Sequence, residues 1–509
     1  MNKIDTRLYI IGAGFAGQMI AKDIMRKKIF GSVAAFLDDD KDIIGKKIDD
    51  IPVLGPIDQV ASALRVNAID EAVIAIPSAS VERIRKIYGE LKSSGFFRIK
   101  ILPSISQVVD GKAHLVQARD INPLDILGRT PVIIPLHETL SYLKGKRVLI
   151  TGAGGSIGSE LARQLLSGGC ERLYLFGHGE NSIVSIYREL HILQNEGVGE
   201  KASVVPIIGD MKDREYVRYI ISHTRADVIF HCAAYKHVPM MEENPVAVME
   251  NNVFGTKNLL DAALEFSTER FVLISTDKAV DPVSVYGVSK MMCEKLLLEA
   301  SQKTNPGQSF MFVRFGNVLG SRGSIMPIFM DQIKNGGPVT VTDKEMERFF
   351  MTIPEACSLV LQTGGVGENG RSYLLDMGDP IKILELAEQI IRFSGFEPYE
   401  DIDIKFIGTR PGERLFEPLW LKEESPAPTK YQKILQLVNI PPKTFVLEDI
   451  IEKLRPICFF DSSNRDAYRN KQLLLTILRN AVPSLDAFYA TQEAAGKQID
   501  MASSVKVVL

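Results

Sequence analysis

Along the chain, short apolar runs bounded by glycine, proline or acidic turn residues alternate with longer segments whose apolar positions recur at helical spacing. Short apolar runs suit strands buried on both faces, and their alternation with helices predicts parallel sheets wrapped by helices. Two strand–glycine turn–helix openings stand out, LYIIGAGFAGQMIAKDI at residues 8–24 and RVLITGAGGSIGSELARQLL at residues 147–166. A doubly wound domain starts with such a unit, so two of them predict two α/β domains, each with a parallel sheet.

The first domain, residues 1–130, continues with strands in SVAAFLDDD, IPVLGP, DEAVIAIP and FRIKILP and closes near Pro123–Gly128. Prolines and glycines mark residues 131–145 as a linker. In the second Rossmann-like domain, residues 146–440, strands are predicted at 147–151, 172–176, 203–208, 227–232, 271–275 and 310–314. Beyond Asn317 the alternation loosens into glycine- and proline-punctuated segments, which predicts a smaller C-terminal substrate-binding lobe. Residues 441–509, with FVLEDIIEKLRPICFF and KQLLLTILRNAV, read as a helical extension without chemistry of its own. No short-period repeat or low-complexity tract interrupts this organisation.

A length of 509 residues accommodates about two to four domains. Hydrophobic residues at 45% and charged residues at 24% are ordinary for a globular protein, and a net charge of −3 gives no basic field for nucleic acid or anionic membrane. Cys170, Cys232, Cys293, Cys357 and Cys458 are scattered without metal-ligand spacing, so a reducing compartment and no metal are expected. The N-terminus lacks a basic region followed by a long apolar one, and no segment has the apolar length of a membrane helix. The expected location is cytoplasmic.

Gly12, Gly14 and Gly17 form G-x-G-x-x-G after a strand, with Asp38 21 residues beyond Gly17 at the end of the next strand. There a carboxylate could accept from a ribose hydroxyl. Nothing between residues 40 and 130 supplies an acid–base set, so a ligand-sensing or structural role is expected for this domain rather than a redox one. In the second turn the glycines fall at Gly152, Gly155 and Gly158, and Ser156 and Ile157 open the helix on which a pyrophosphate would sit. Nineteen residues after Gly158 the expected ribose-binding acid is replaced by Gly177, followed by His178 and, three residues on from Gly177, Glu180. Glu180 favours NAD, and NADP stays open. Asp210, with Met211, follows the third strand where an adenine edge would lie.

Tyr286 and Lys290 stand one helical turn apart in ISTDKAVDPVSVYGVSK, so both face one side of a helix. The lysine charge is expected to lower the phenol pKa from about 10, letting a tyrosinate take a hydroxyl proton as hydride leaves carbon. A lone Y-x-x-x-K is a weak signal. Here it follows a strand inside a domain opened by a glycine turn, and Asp277 and Lys278 stand just before it as a second acid and base.

At these residues the sequence resembles the extended short-chain dehydrogenases/reductases, and within them the nucleotide-sugar 4,6-dehydratases of bacterial polysaccharide biosynthesis that act on UDP-N-acetylglucosamine. The motifs are TGAGGSIGSEL, HCAAYKHVPMMEENP, NNVFGTKNLL, STDKAVDPVSVYGVSK, RFGNVLGSRGSIMPIF and GTRPGERLFE, which span roughly residues 130–435. Residues 8–130 resemble the CoA-binding-like domain that precedes the catalytic domain in long members of that family. They also resemble the N-terminal domain of bacterial sugar acyltransferases, which binds a UDP-sugar. Long members usually begin with transmembrane helices, which this chain lacks, so membrane association is expected only if it is part of such a longer protein.

The resemblance implies oxidation at C4 of the hexose by a tightly held NAD(P), loss of the C5 proton and the C6 hydroxyl, and return of hydride to C6. Many sugar dehydratases use an Asp–Glu pair for the elimination, whereas this family has lysine beside aspartate. It makes Asp277 the acid for the C6 hydroxyl, Lys278 the C5 base, which must then be uncharged, and Thr276 the partner of the C4 oxygen, with Tyr286 and Lys290 moving the hydride. Ala233 and Ala234 would line the cofactor. Asn317, Arg348 and Arg410 would face the diphosphate or nucleoside and Glu413 the ribose, with Lys236, His237 and Ser324 along the substrate. Arginine suits phosphate because its planar fork donates two parallel hydrogen bonds. Taken singly, each of these residues reads more readily as a surface ion-pair residue, and only the motif context raises it to a binding residue. His231 reads as a packed core histidine, and the methionines, Met240, Met241, Met291 and Met292 among them, as core filling. Long members that retain the C5 configuration often carry methionine at the place of Tyr286, so C5 stereochemistry does not carry over.

The implied partner is a UDP-hexosamine, in a homo-oligomeric enzyme for surface glycans. A nucleotide-sugar epimerase, at C4 or C5, is the enzymatic alternative. It shares Tyr286 and Lys290, but a C4 epimerase has no need of an elimination pair. A non-catalytic nucleotide-sugar sensor is the alternative from another class, and four intact acid–base residues count against it.

Overall fold

The computed structural model describes residues 6–27, 32–64, 66, 70–96, 98–102, 119–120, 140–199, 201–439 and 446–494. It divides into two compact units, one of residues 1–136 with 191–200 and the other of the remaining chain.

In the first unit, strands Ile51–Leu54, Ser32–Leu37, Arg7–Ile11, Glu71–Ile74 and Arg98–Ile101 run parallel in that order. Short antiparallel strands, Lys47–Ile48 and Arg119–Asp120, finish the two edges. The central strands are apolar on both faces because Ile10, Ile11, Leu37, Val73 and Ile74 are all fully buried. Helix Phe15–Lys27 starts so close to the glycine turn that a Cβ on Gly17 would lie 1.9 Å from the Gly12 carbonyl oxygen. Gly12 itself has φ +101, whereas a Cβ on Gly14 would meet nothing within 4 Å. Asp38 is tied to two neighbouring turns. Its Oδ2 accepts from Ala13 N at 2.6 Å and its Oδ1 from Asp40 N at 3.0 Å. The nearest donors to this carboxylate are backbone N–H groups of the turns, so it braces them. The expected closure near Pro123–Gly128 and the linker up to residue 139 lie outside the described residues.

The second unit is built on a 9-stranded sheet. Its order is Ser203–Ile208, Arg172–Gly177, Arg147–Thr151, Val228–His231, Arg270–Ile274, Ser309–Arg314, Ser372–Leu375, Ile434–Val438 and Ser425–Pro428. Pairing is parallel as far as Ser372–Leu375 and antiparallel beyond it. The order reverses between Arg147–Thr151 and Val228–His231, and a doubly wound sheet opens a crevice at the carboxyl ends of the strands flanking such a point.

Residues after Asn317 divide between a small lobe and the main sheet. Three small two-stranded sheets form the lobe, but helix Ile353–Val366 packs against helix Ser156–Leu166, with Ser358 Oγ donating to Gln164 Oε1 at 2.9 Å. The reason is composition: Leu359, Val360, Leu361, Leu374 and Leu375 are apolar and fully buried, and the segments that carry them cover or extend the main sheet. The helices of the extension, Leu447–Cys458, Lys471–Ala481 and Pro483–Ala494, join the core around helix Val285–Ser301. Tyr489 there donates its hydroxyl to Glu242, whose other oxygen accepts from Val285 N at 2.7 Å.

Candidate active site

Helix Ser156–Leu166 begins at Gly155 without a side-chain cap, so its first N–H groups are left for a ligand in the crevice. The turn before it requires glycine. Gly152 has φ +66 and a Cβ there would lie 2.8 Å from the Ala233 backbone; one on Gly158 would lie 2.3 Å from the Gly152 oxygen. Gly152, Gly155, Ser156, Ile157 and Gly158 line a cavity of about 760 Å³. A neighbouring cavity of about 240 Å³ shares Gly152 and Gly155 and reaches His178, Asp210, Met211, Ala233 and Ala234. Asp210 accepts from Lys212 N at 2.9 Å. Glu180 is exposed and lines neither cavity, because the turn after Gly177 has carried the chain past the wall before this residue starts its helix.

Strand Arg270–Ile274 delivers the acid–base residues to the larger cavity. Thr276 caps a single 3₁₀ turn, Asp277–Ala279. Ser284 then caps helix Val285–Ser301 by accepting from Gly287 N at 3.0 Å. This helix is buried on nearly every side and is pressed onto the preceding turn, since a Cβ on Gly287 would lie 2.3 Å from the Lys278 carbonyl oxygen. A buried ionic cluster fixes its far side: Arg314 donates to both oxygens of Glu294, at 2.8 and 2.7 Å, and to Glu424 at 2.6 Å, while Ser275 Oγ donates to Glu294 at 2.6 Å. Breaking one partner of such a cluster is far costlier than removing an exposed pair.

Thr276, Lys278, Tyr286 and Lys290 all line the cavity. Lys278 Nζ lies 3.0 Å from Asp277 Oδ1 and 3.1 Å from Asn317 Oδ1. Asp277 stands behind the wall, fully buried. Its Oδ1 accepts from Thr276 Oγ1 at 2.9 Å, and its Oδ2 is buried without a hydrogen-bond partner among the described residues. The carboxylate expected to touch the sugar therefore reaches the cavity through its two neighbours. Lys290 Nζ donates to the Ile274 carbonyl at 2.6 Å.

The expected lowering of the Tyr286 pKa is reversed. Burial raises it and Asp277 raises it further, against a smaller opposing effect of Thr276. Lys290 is itself held below its ordinary value by burial. Burial followed by the charge of Lys278 lowers Lys236, whose Nζ lies 3.3 Å from Ser321 Oγ.

On the substrate side, Lys236, His237, Asn317, Ser324, Arg348, Arg410 and Glu413 all line the same cavity. Ser324 Oγ is buried without a hydrogen-bond partner among the described residues. Arg348 differs from the expected phosphate clamp. Its guanidinium donates to the carbonyls of Glu347, Leu415 and Arg414 at 2.7, 2.8 and 2.7 Å, which fastens the segment carrying Arg410 and Glu413.

The family described as "Polysaccharide biosynthesis protein" matches residues 148–439. This chain belongs to that family. A "CoA-binding domain" matches residues 3–103. Over 430 residues the chain is 42% identical to the probable polysaccharide biosynthesis protein EpsC of Bacillus subtilis, covering 84% of this chain and 71% of that protein. It is 40% identical over 427 residues to the capsular polysaccharide biosynthesis protein CapD of Staphylococcus aureus, covering 84% and 70%. Among solved structures, Pen from Bacillus thuringiensis is similar with a TM-score of 0.53 at 30% identity, covering 58% of this chain and 90% of that one.

Several residues of this polysaccharide biosynthesis protein escape sequence reasoning. Glu417 is buried and lines the cavity, although the quoted motif GTRPGERLFE ends on it. Asn252 lies in a π-helical turn, Met249–Phe254, and binds Tyr235 N and O at 2.9 and 3.0 Å and Ser289 Oγ at 2.9 Å. The doublet in NNVFGTKNLL was its signal. Met240 is 60% exposed and lines the cavity, so it is not core filling, unlike Met241 and Met292. Its position on the short helix Val238–Glu243 puts it at the mouth rather than the core. His231 bridges Thr151 and Thr256 at 2.7 and 2.8 Å, buried. Among the described residues, no helix is long and apolar enough to cross a membrane.

Proposed function

We propose that this polysaccharide biosynthesis protein is a nucleotide-sugar 4,6-dehydratase. It converts a UDP-hexosamine, with UDP-N-acetylglucosamine as the first candidate, to the 4-keto-6-deoxy sugar. One observation carries the reading: the hydrogen-bonded pair Asp277–Lys278 adjoins Tyr286 and Lys290 at one strand end, and Lys278, Tyr286 and Lys290 share one cavity wall. A C4 epimerase needs the second pair and has no use for the first.

The residues fit NAD. The side-chain-free turn at Gly152, Gly155 and Gly158 and the uncapped helix start at Ser156 and Ile157 suit a pyrophosphate. His178, Asp210 and Met211 would hold the adenosine end, Ala233 and Ala234 the far side of the crevice, and Tyr286 and Lys290 the nicotinamide ribose. NAD, when bound, supplies the acceptor for the C4 hydride and its return to C6.

Tyr286 takes the C4 hydroxyl proton. With a ketone at C4 the C5 proton becomes acidic, and Lys278, as the free amine, removes it. One proton moved from Lys278 Nζ to Asp277 Oδ1, across 3.0 Å, creates base and acid together. Asp277 then gives its proton through Thr276 Oγ1 to the departing C6 hydroxyl, which leaves as water. The C5 proton stays on Lys278, so elimination restores the ion pair. As hydride returns to C6, Lys278 gives a solvent-exchanged proton to C5, and the proton that Tyr286 took from the C4 hydroxyl resets the amine, so the protons balance. Asn317, by accepting from Lys278 Nζ at 3.1 Å, aims the amine. Arg410 supplies charge for the diphosphate, with Glu413 at the ribose and Lys236, His237 and Ser324 along the sugar.

Incubation with UDP-N-acetylglucosamine in heavy water, read by NMR, tests this. The expected product has lost one water, carries a C6 methyl group and has deuterium at C5. A product that keeps its C6 hydroxyl with C4 inverted would make the enzyme an epimerase. NADP offered in place of NAD shows which cofactor sustains turnover.

A further inference from the structure

The segment that carries Arg410 and Glu413 is mechanically joined to the loop that carries Asp277 and Lys278. Arg414 makes the joint. Its Nη2 donates to the carbonyl oxygens of Val280 and Asp281, each at 2.7 Å, and its Nε donates to Glu417 Oε2 at 2.9 Å. Asp281 has φ +39, a left-handed backbone conformation that few residues other than glycine adopt without support from their neighbours. Arg414 holds the carbonyl of that residue. Val280 N in turn donates to the Asp277 carbonyl at 3.0 Å, which closes the turn bearing the elimination pair.

Glu417 anchors the other end. Its side chain is 4% exposed, and Arg348 Nη2 lies 3.8 Å from its Oε1. Arg348 also donates to the carbonyls of Arg414 and Leu415, so this segment is gripped on backbone and side chain alike. Burial raises the pKa of Glu417, and the charges that act on it, led by Lys278 and Asp277, are those of the reaction. A carboxylate kept in so buried a place, with two arginines around it, is poorly explained by stability alone, because an apolar replacement of similar volume is often no less stable.

We propose that Arg414 and Glu417 are positioning residues that transmit occupation of the nucleotide site to the acid–base loop, so that the nucleotide end of the substrate sets the geometry for elimination at the hexose end. This rests on the dehydratase reading. Remote binding interactions used to orient the reacting centre lower the barrier of one step without tightening ground-state binding.

The test compares the unchanged full chain with Arg414→Lys, Arg414→Met and Glu417→Gln, each first checked for an unaltered circular dichroism spectrum. The probe is UDP alone, and the readout is hydrogen–deuterium exchange of the amides in residues 277–287. In the unchanged protein UDP is expected to slow exchange there by about fivefold or more, the lower end of ordinary coupling between sites. In Arg414→Met and Glu417→Gln that protection disappears while UDP affinity stays within about twofold, and Arg414→Lys recovers part of it. Single-turnover kinetics with UDP-N-acetylglucosamine add a second arm. Reduction of the cofactor by C4 oxidation should persist while loss of water slows at least about tenfold, a barrier of about 1.4 kcal/mol.

Equal loss of UDP affinity, oxidation and elimination in the variants would mark a merely structural role and overturn the proposal. So would UDP protection that survives all three substitutions. Should Glu417→Gln keep both coupling and rate while Arg414→Met loses them, Glu417 is overturned alone. An unchanged enzyme that binds UDP but never releases water fails the dehydratase reading itself, a result separate from any variant.

Discussion

Thr276 Oγ1 lies 2.9 Å from Asp277 Oδ1, and of these two residues only Thr276 faces the cavity. A fully buried carboxylate can act on a substrate only through what it touches. On the dehydratase reading, the hydroxyl of Thr276 is the route by which a proton from Asp277 reaches the departing oxygen. Thr276→Val should slow loss of water by about 10²-fold, within the usual range for general acid catalysis, and Thr276→Ser should keep most of the rate. Product formation in single turnovers separates the two. Equal rates for the valine and serine variants would remove Thr276 from the proton path.

Lys278→Met leaves Asp277 without the amine at 3.0 Å and, on the dehydratase reading, the C5 carbon without a base. Loss of water should fall by about 10²–10⁴-fold. The C4 oxidation, which depends on Tyr286, should continue, so reduced cofactor accumulates in the variant. Absorbance of the reduced cofactor reads this directly, and a variant that neither oxidises nor dehydrates would place Lys278 in the first step instead.

On the dehydratase reading Tyr286 acts as a base in its deprotonated form, and burial together with Asp277 pushes its pKa up. Below that raised value the phenolate fraction grows about tenfold for each pH unit. The single-turnover rate of C4 oxidation should therefore climb from neutral into alkaline pH, and Tyr286→Phe should lose both the slope and about 10²–10⁴-fold in rate. A plateau at neutral pH would mean that the loaded site brings the phenol below its ordinary range.

His231 carries a prediction for stability. Burial, with Lys290 adding to it, holds its pKa at about 3 in the folded protein. Unfolded, it would take a proton as pH falls through about 6.5, so the unfolded state gains protons that the folded state refuses. The resulting loss amounts to about 1.4 kcal/mol at about pH 5.5, on an order-of-magnitude basis, and is absent above about pH 7. Melting temperature should drop on acidification more in the unchanged protein than in His231→Gln. Parallel pH dependences in the two would show that His231 is not the group responsible.

The sequence made the parallel frame legible because strands buried on both faces write themselves as unbroken apolar runs, as Val148–Ile150 and Phe271–Leu273 do. Strands Ser425–Pro428 and Ile434–Val438 were not legible. The first contains two prolines, which argue against a strand until an edge position leaves their missing N–H without consequence. Within the site, glycines and the Tyr286–Lys290 spacing were visible because chemistry fixes residue type and interval together. Layering was not. Nothing in the string STDK says that Asp277 stands behind Thr276, or that Glu180 falls past the cavity wall. Arg348 likewise reads as a phosphate clamp until its donors are seen on the carbonyls of Glu347, Arg414 and Leu415.

The most direct test of the central claim follows one hydrogen. UDP-N-acetylglucosamine carrying deuterium at C4 is converted by the unchanged enzyme, and the product is read by NMR for the position of the label. Dehydration by the pair Asp277–Lys278 predicts deuterium in a new C6 methyl group, carried from C4 within the same molecule. Label returned to C4, on a sugar that keeps its C6 hydroxyl, would contradict it.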